Sequence, residues 1–173
     1  MPGSGKSTVV SALKAKGIET LNLGDGVRTE AKRRSLEPTG DNLGKLMLEL
    51  REKNGPGAIA ILLTEPIKNS QSKVIIIDGV RSTAEIEVLK NVGSVKLLSI
   101  EAAADTRYKF LSSRGRSDDP VTREKFEERD NREIGVGIGE SIAIADETIV
   151  NSDITLDELT ERAHKVIEKW INT

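Results

Sequence analysis

The first eight residues, Met1-Pro2-Gly3-Ser4-Gly5-Lys6-Ser7-Thr8, decide the fold class of this chain. They match all but the first glycine of the phosphate-binding loop G-x-x-x-x-G-K-[ST]. Glycines let the backbone turn so that several N–H groups point at one phosphate, and the following helix adds its positive N-terminal dipole. In this motif Lys6 bridges the β- and γ-phosphates and Ser7 ligates Mg²⁺. We therefore predict that residues 1–8 bind a nucleotide; the alternative is a flexible Gly/Ser-rich terminus.

Short β-branched runs alternate with helical patterns along the chain, which is typical of βαβ units and a mainly parallel α/β fold. The clearest strand is 73–78, and weaker strands are predicted at 18–23, 95–101 and 148–151. Helices are predicted at 6–16, 27–34, 42–52, 58–69, 83–91 and 156–171, and two more flank 115–120. Two pairs have the spacing of a capping box and favour the last two of the numbered helices, namely Ser82 with Glu85 and Thr155 with Glu158.

A strand is missing from this pattern. A phosphate loop normally joins a buried strand to its helix, and no strand fits before Met1. Because the motif is cut at its first glycine, we hypothesise that Met1 lies inside a longer natural reading frame. The lack of an apolar segment upstream in that frame would contradict this hypothesis.

The composition limits the classes of function. A chain of 173 residues with 31% charged residues suits one globular domain, and with 2% aromatic residues Ile, Leu and Val must fill its core. The formal net charge of −2 removes the broad attraction that drives most nucleic-acid binding, so no nucleic-acid partner is expected. The chain has no Cys, which excludes disulfides and thiol chemistry and fits the cytoplasm. No apolar run approaches the ~18 residues that span a membrane.

Two motifs place an acid and an arginine at the C-terminal end of a predicted strand, and they are the segments Gly24–Arg28 (GDGVR) and Asp78–Arg81 (DGVR). Ligands of open α/β sheets bind at this edge. Arginine suits a phosphate ligand because its planar fork makes bidentate contacts. We predict that Asp25, Arg28 and Arg81 bind the phosphate of a second substrate; the alternative is a set of surface salt bridges.

Together with the arginine-rich stretch 114–120, these motifs resemble the adenylate and nucleoside monophosphate kinase family. The tail 145–151 looks more like dephospho-CoA kinases, and the whole chain is similar to an archaeal group of adenylate-kinase-related P-loop proteins. The resemblance implies an α/β, three-layer P-loop kinase fold whose first strand is missing. It also implies one domain over 1–173 with a small lid insert around 107–132.

The same resemblance implies ATP and Mg²⁺ as cofactors and a small-molecule phosphate acceptor of the nucleoside monophosphate type. The expected catalytic residues, which hold the phosphoryl groups, are Lys6, Arg81, Arg114 and Arg116. The acceptor would lie on Asp25, Arg28 and Arg81, and the metal on Ser7 and, through water, on Asp78. The expected lid residues are Arg107, Asp118, Asp119, Arg129 and Arg132. On closure of the lid, Asp118 and Asp119 would pair with Arg129 or Arg132.

Two other functions stay open. One is a dephospho-CoA kinase type of small-molecule kinase, which the tail favours. The other is a nucleotide-binding regulatory ATPase without an acceptor. A hydrolytic motor is disfavoured because Gly79, and not an acid, follows the strand-ending Asp78. A switch GTPase is disfavoured because the guanine motif N-K-x-D is missing. The sequence does not set the oligomeric state.

Overall fold

A computed structural model describes residues 1–115 and 119–172. Within them the chain forms two compact units. The contiguous unit is Glu19–Val95, and the split unit joins Met1–Ile18 to the chain from Lys96 onward. No helix in the described ranges has the length and apolar composition needed to cross a membrane. The expected single domain over 1–173, with its lid insert, stays a prediction.

The contiguous unit is built on a pair of parallel strands. Strands β1 and β2 pair in register from Glu19 opposite Ile75 to Asn22 opposite Asp78. Its elements in chain order are β1 (Glu19–Asn22), α2 (Leu23–Arg33), α3 (Gly40–Asn54), α4 (Ala58–Asn69), β2 (Ile75–Asp78) and α5 (Thr83–Lys90). Aliphatic side chains from all four helices form its core, including Leu23, Val27, Leu46, Leu50, Ile59, Leu63 and Leu89.

The split unit has a second parallel pair. Strands β3 and β4 pair from Leu98 opposite Glu147 to Glu101 opposite Val150. Its elements are α1 (Lys6–Ala15), β3 (Leu98–Glu101), α6 (Ala104–Arg114), α7 (Arg123–Val136), α8 (Ile138–Ala143), β4 (Glu147–Val150) and α9 (Leu156–Ile171). Its buried side chains include Val9, Leu13, Ile100, Leu111, Phe126 and Leu159. Both described strand pairs are parallel and alternate with helices, which confirms the predicted α/β class.

Side-chain caps explain where several helices begin. Asn22 accepts hydrogen bonds from the backbone N–H groups of Gly24 and Asp25, so α2 begins at Leu23. The predicted start at residue 27, and the assignment of Leu23 to a strand, were therefore wrong. Thr155 and Glu158 form the complete capping box that their spacing predicts at α9.

Candidate functional site

The backbone of residues 1–8 forms a tight loop that leads into α1. Gly3 and Gly5 both have left-handed backbone angles, with φ of 79° and 101°. Gly5 caps α1, and its carbonyl oxygen accepts from the N–H of Thr8 at 3.1 Å. The N-terminus of a helix favours an anion, because its first N–H groups point outwards from the helix and its dipole is positive there.

Neighbouring residues press closely on both loop glycines. A Cβ atom on Gly3 would lie 2.8 Å from the carbonyl oxygen of Arg107. One on Gly5 would lie 2.8 Å from the Asn151 side-chain nitrogen and from a Leu159 methyl group. The Asn151 amide also donates to the carbonyl oxygen of Ser4 at 3.0 Å. The loop therefore needs glycine for its backbone angles and for the space beside it.

Lys6 folds back across this loop. Its ammonium group donates to the carbonyl oxygen of Met1 at 2.6 Å and lies 3.5 Å from the Ser4 hydroxyl oxygen. Ser7, in the first turn of α1, is exposed. A cation, two glycines and the N-terminus of a ten-residue helix thus meet at one place. These groups fit the phosphates of a nucleotide, and the exposed Ser7 hydroxyl offers an oxygen of the kind that ligates Mg²⁺.

Arg107, an expected lid residue, is buried against the phosphate loop. Only 6% of the residue is exposed, and its guanidinium donates to the Pro2 carbonyl oxygen at 3.2 Å and to Asp130 at 2.8 Å. The guanidinium also lies 4.9 Å from the centroid of the Phe126 ring. The side chain therefore anchors the loop backbone to α6 and α7, a contact that the sequence analysis did not predict.

The other predicted lid residues, together with the predicted catalytic residues Arg114 and Arg116, divide into three groups. Arg114, at the end of α6, is paired with Asp119, and one of their contacts measures 3.1 Å. Arg129 and Arg132 lie on α7. Arg116 and Asp118 lie outside the described residues. The pairing of Asp118 and Asp119 with Arg129 or Arg132 stays a prediction.

The predicted acceptor motifs meet at the carboxyl ends of β1 and β2. Asn22 and Asp78 are partners in the register, and the Asn22 amide donates to the Asp78 carboxylate at 3.0 Å. Because Asn22 also caps α2, Asp78 is tied to the start of the GDGVR segment. Arg28 donates to Asp25 at 2.5 Å on the exposed face of α2. This pair is the surface salt bridge that we considered as the alternative, and it leaves both side chains within reach of solvent.

Arg81 lies folded back over the turn that follows β2. Its guanidinium donates to the carbonyl oxygen of Gly79 at 3.2 Å, and Gly79 has a φ of 95°. The backbone N–H of Arg81 donates to the carboxylate of Glu85 at 2.7 Å. An acid and an arginine therefore stand within one turn at the end of this strand, as the motif predicts.

A cavity of about 320 Å³ lies in the contiguous unit beside α2. Both polar and apolar residues line it. The polar lining includes Asn22, Asp25, Thr29 and Glu30, and the apolar lining includes Leu62, Leu63 and Pro66. A volume of this size is at the lower end of those that hold small molecules.

Comparison with known proteins identifies related sequences. Residues 1–127 match the family described as AAA domain. A UPF0200 protein of Pyrococcus abyssi is 43% identical over 158 residues, which cover 88% of this chain and 84% of the relative. A UPF0200 protein of Methanothrix thermoacetophila is 43% identical over 173 residues, with 98% and 93% covered. The chain belongs to the UPF0200 family.

Solved structures similar to this UPF0200 chain show its fold. One is TT1252 from Thermus thermophilus, with a TM-score of 0.67 and 20% identity, covering 97% of this chain and 92% of that one. Another is shikimate kinase from Bacteroides thetaiotaomicron, with a TM-score of 0.63 and 15% identity, covering 96% and 93%. The UPF0200 chain thus has the predicted P-loop kinase-like α/β fold. The specific resemblance to adenylate kinases stays a prediction.

Three polar residues of this UPF0200 chain contribute to the sites but were not among the predicted site residues. Asn22 ends β1 and Asn151 follows β4, and Asn is among the favoured residues at a helix N-cap, so Asn22 carried a usable signal. Glu85 carried none, because its spacing to Ser82 predicted a capping box. Among residues 1–115 and 119–172, no cluster of three acids or histidines could hold a metal on its own.

Proposed function

We propose that this protein is an ATP- and Mg²⁺-dependent kinase that transfers the γ-phosphoryl group of ATP to a small acceptor with a phosphate group of its own. The acceptor is of the nucleoside monophosphate type. The proposal extends the P-loop kinase-like fold to a reaction, and two sets of residues support it.

The phosphate loop provides what the donor needs. Bound Mg²⁺·ATP supplies the γ-phosphoryl group and neutralises part of its charge. Lys6 lies across the loop, where its ammonium group can move from the Met1 carbonyl oxygen to a phosphate oxygen. The transfer forms a bond from an acceptor oxygen to the γ-phosphorus and breaks the bond to the β-phosphate oxygen, so that ADP leaves. Such a step needs positioning and positive charge, and no protein nucleophile.

The observation that carries the acceptor assignment is the hydrogen bond between Asn22 and Asp78. It ties together the ends of two adjacent parallel strands, each followed by an arginine, Arg28 after β1 and Arg81 after β2. Ligands of α/β proteins bind at this edge, and arginine is the side chain best suited to a phosphate dianion. Two arginines after adjacent strand ends suit a phosphate group bound at this edge, which supports a phosphorylated acceptor.

The test is acceptor-dependent release of ADP from Mg²⁺·ATP, with AMP, CMP, UMP, GMP, dAMP and dephospho-CoA as acceptors. One acceptor should stimulate ADP release, and the Lys6→Ala and Arg81→Ala variants should lose about a hundredfold or more of that rate. Lys14→Ala on α1 and Lys90→Ala on α5 are matched controls, because both side chains are exposed cations outside the motifs.

Three results are distinguishable in this assay. Stimulation by dephospho-CoA alone would replace the proposed acceptor class by the dephospho-CoA kinase alternative. Tight ATP binding without stimulation by any acceptor would contradict a kinase and favour a regulatory nucleotide-binding protein. Equal losses in the two control variants would show that the arginine and lysine effects are not specific to the motifs.

A further inference from the structure

Glu85 is a buried acid that the proposed reaction does not use. It lies in the first turn of α5, and only 1% of the residue is exposed. Burial of a carboxylate is costly unless hydrogen bonds and an opposite charge replace the lost water. The partners of Glu85 therefore indicate why an acid is kept at this position.

The carboxylate of Glu85 has two partners from different parts of the contiguous unit. One oxygen accepts from the backbone N–H of Arg81 at 2.7 Å, and the other accepts from the Arg51 guanidinium at 3.2 Å. The Ser82 hydroxyl accepts from the backbone N–H of Glu85 at 3.3 Å. The predicted capping box is thus only half formed, because the Glu85 carboxylate is bonded to Arg81 and not to the backbone of Ser82.

Arg51 belongs to α3, and its side chain is 19% exposed. Its Nε is buried and has no hydrogen-bond partner within residues 1–115 and 119–172. A buried donor without a partner lowers stability. The Arg51 side chain is therefore only partly satisfied by its ion pair. The hydrogen bond from its Nη2 nevertheless links α3 to Glu85.

We propose that Glu85 is a positioning residue for the acceptor. Its carboxylate fixes the backbone of Arg81, whose guanidinium turns back to Gly79, and Arg51 couples that arrangement to α3. The inference rests on the proposed function, in which Arg81 binds the acceptor phosphate. A change at Glu85 should then weaken acceptor binding and leave the ATP site in place.

The first test uses Glu85→Gln, which keeps the shape of the side chain and an oxygen for the Arg81 N–H but removes the charge that pairs with Arg51. The KM for the acceptor should rise about tenfold, while kcat and the KM for ATP change less than about twofold. Glu87→Gln is the matched control, because Glu87 lies on the same helix and forms an exposed pair with Lys90. A parallel fall of kcat with no change in the acceptor KM would overturn the inference.

The second test does not need a kinase activity. In the double variant Arg51→Met/Glu85→Leu, apolar side chains replace the whole buried pair, a change that proteins often tolerate. Amide hydrogen exchange at Arg81, followed by NMR, should be about tenfold or more faster than in the wild type. An unchanged exchange rate in a folded double variant would overturn the positioning role. If no acceptor stimulates ADP release in the wild type, the proposed function fails, and faster exchange at Arg81 would still support the positioning of its backbone.

Discussion

At the scale of single residues, the phosphate loop depends on two glycines for two separate reasons. Both have positive φ, a region in which a Cβ atom is strained. Both also lie where a Cβ would meet another group, and for Gly3 that group is the backbone carbonyl of Arg107. A backbone atom cannot rotate away as the end of a side chain can, so Gly3 is the more restricted of the two.

Gly3→Ala should therefore destabilise the protein. We expect a loss of about 2 kcal/mol, from left-handed strain and the close contact together, and a fall in Tm of roughly 4–8 °C. Gly44→Ala is the matched control, because Gly44 lies inside α3 with no atom within 4 Å of its added Cβ. That variant should be stabilised by up to about 1 kcal/mol. Equal changes of Tm in the two variants, measured by thermal unfolding, would contradict this account.

At the scale of elements, an ion-pair network joins α2 to α3. Glu30 accepts from Arg33 at 2.7 Å and from Arg34 at 2.6 Å, and Arg34 also donates to Glu49 on α3 at 3.0 Å. Hydrogen bonds from Arg33 and Arg34 lower the pKa of Glu30 to about 2 from an ordinary value of 4.5. Glu30 thus binds a proton less readily in the folded chain than in the unfolded one.

The pH dependence of stability follows from this lowered pKa of Glu30. Since the folded pKa of Glu30 is the lower one, its contribution is complete above about pH 4.5 and is lost as the pH falls towards 2. Glu30→Gln should reduce the free energy of unfolding at pH 7 by about 1 kcal/mol, because solvent near Arg33 screens part of the interaction. The reduction should disappear near pH 2. Denaturant unfolding across this range is the measurement, with the exposed Glu65→Gln on α4 as control; an effect of Glu30→Gln that is independent of pH would contradict the assignment.

The sequence predicted the bounds of a helix best where a local signal marks one of its ends. Helices α4 and α9 have the predicted bounds, 58–69 and 156–171, because glycine or a capping box marks their starts. Strands β1, β2 and β3 are shorter than predicted; β2, for example, is Ile75–Asp78 and β3 is Leu98–Glu101, whereas β4 has the predicted length and is shifted by one residue. Apolar composition shows which residues prefer an extended chain, but the paired length depends on the partner strand. Helix α8 was not predicted, because Gly137 separates it from α7 by a single left-handed residue.

The motifs of the candidate sites were recognisable in the sequence, but the contacts of their residues were not. The phosphate loop and the two acid–arginine segments carry fixed spacings, so the sequence located them. Arg107 was predicted beside Arg114 on a lid, whereas its burial depends on Phe126 and Asp130, which are distant in sequence. The partners of Glu85 were hidden for the same reason, since Arg51 lies 34 positions away. Tertiary partners of this kind leave no periodic signal.

At the scale of the whole molecule, nucleotide binding should be visible in its stability. A ligand that binds only the folded chain stabilises it by about 2.7 kcal/mol at a hundred times its Kd. Mg²⁺·ATP should therefore raise the Tm of the wild type by several degrees, and Lys6→Ala should lose most of that rise. Lys14→Ala should keep it. The same ATP-dependent rise in Lys6→Ala, measured by differential scanning fluorimetry, would show that the nucleotide does not use this loop.

The split unit is formed by two separate segments of the chain, and this division affects the order in which parts of the protein can fold during synthesis. Ribosomes add about 5–20 residues per second, and domains tend to fold as their sequence emerges. Residues 19–95 form a contiguous unit and can fold early. The phosphate loop precedes this unit in the sequence, but Asn151 and Leu159, which pack against the loop, follow the unit. We therefore expect the loop to acquire its shape only after residues 151–159 have been made, so that a nascent polypeptide lacking them should bind ATP weakly.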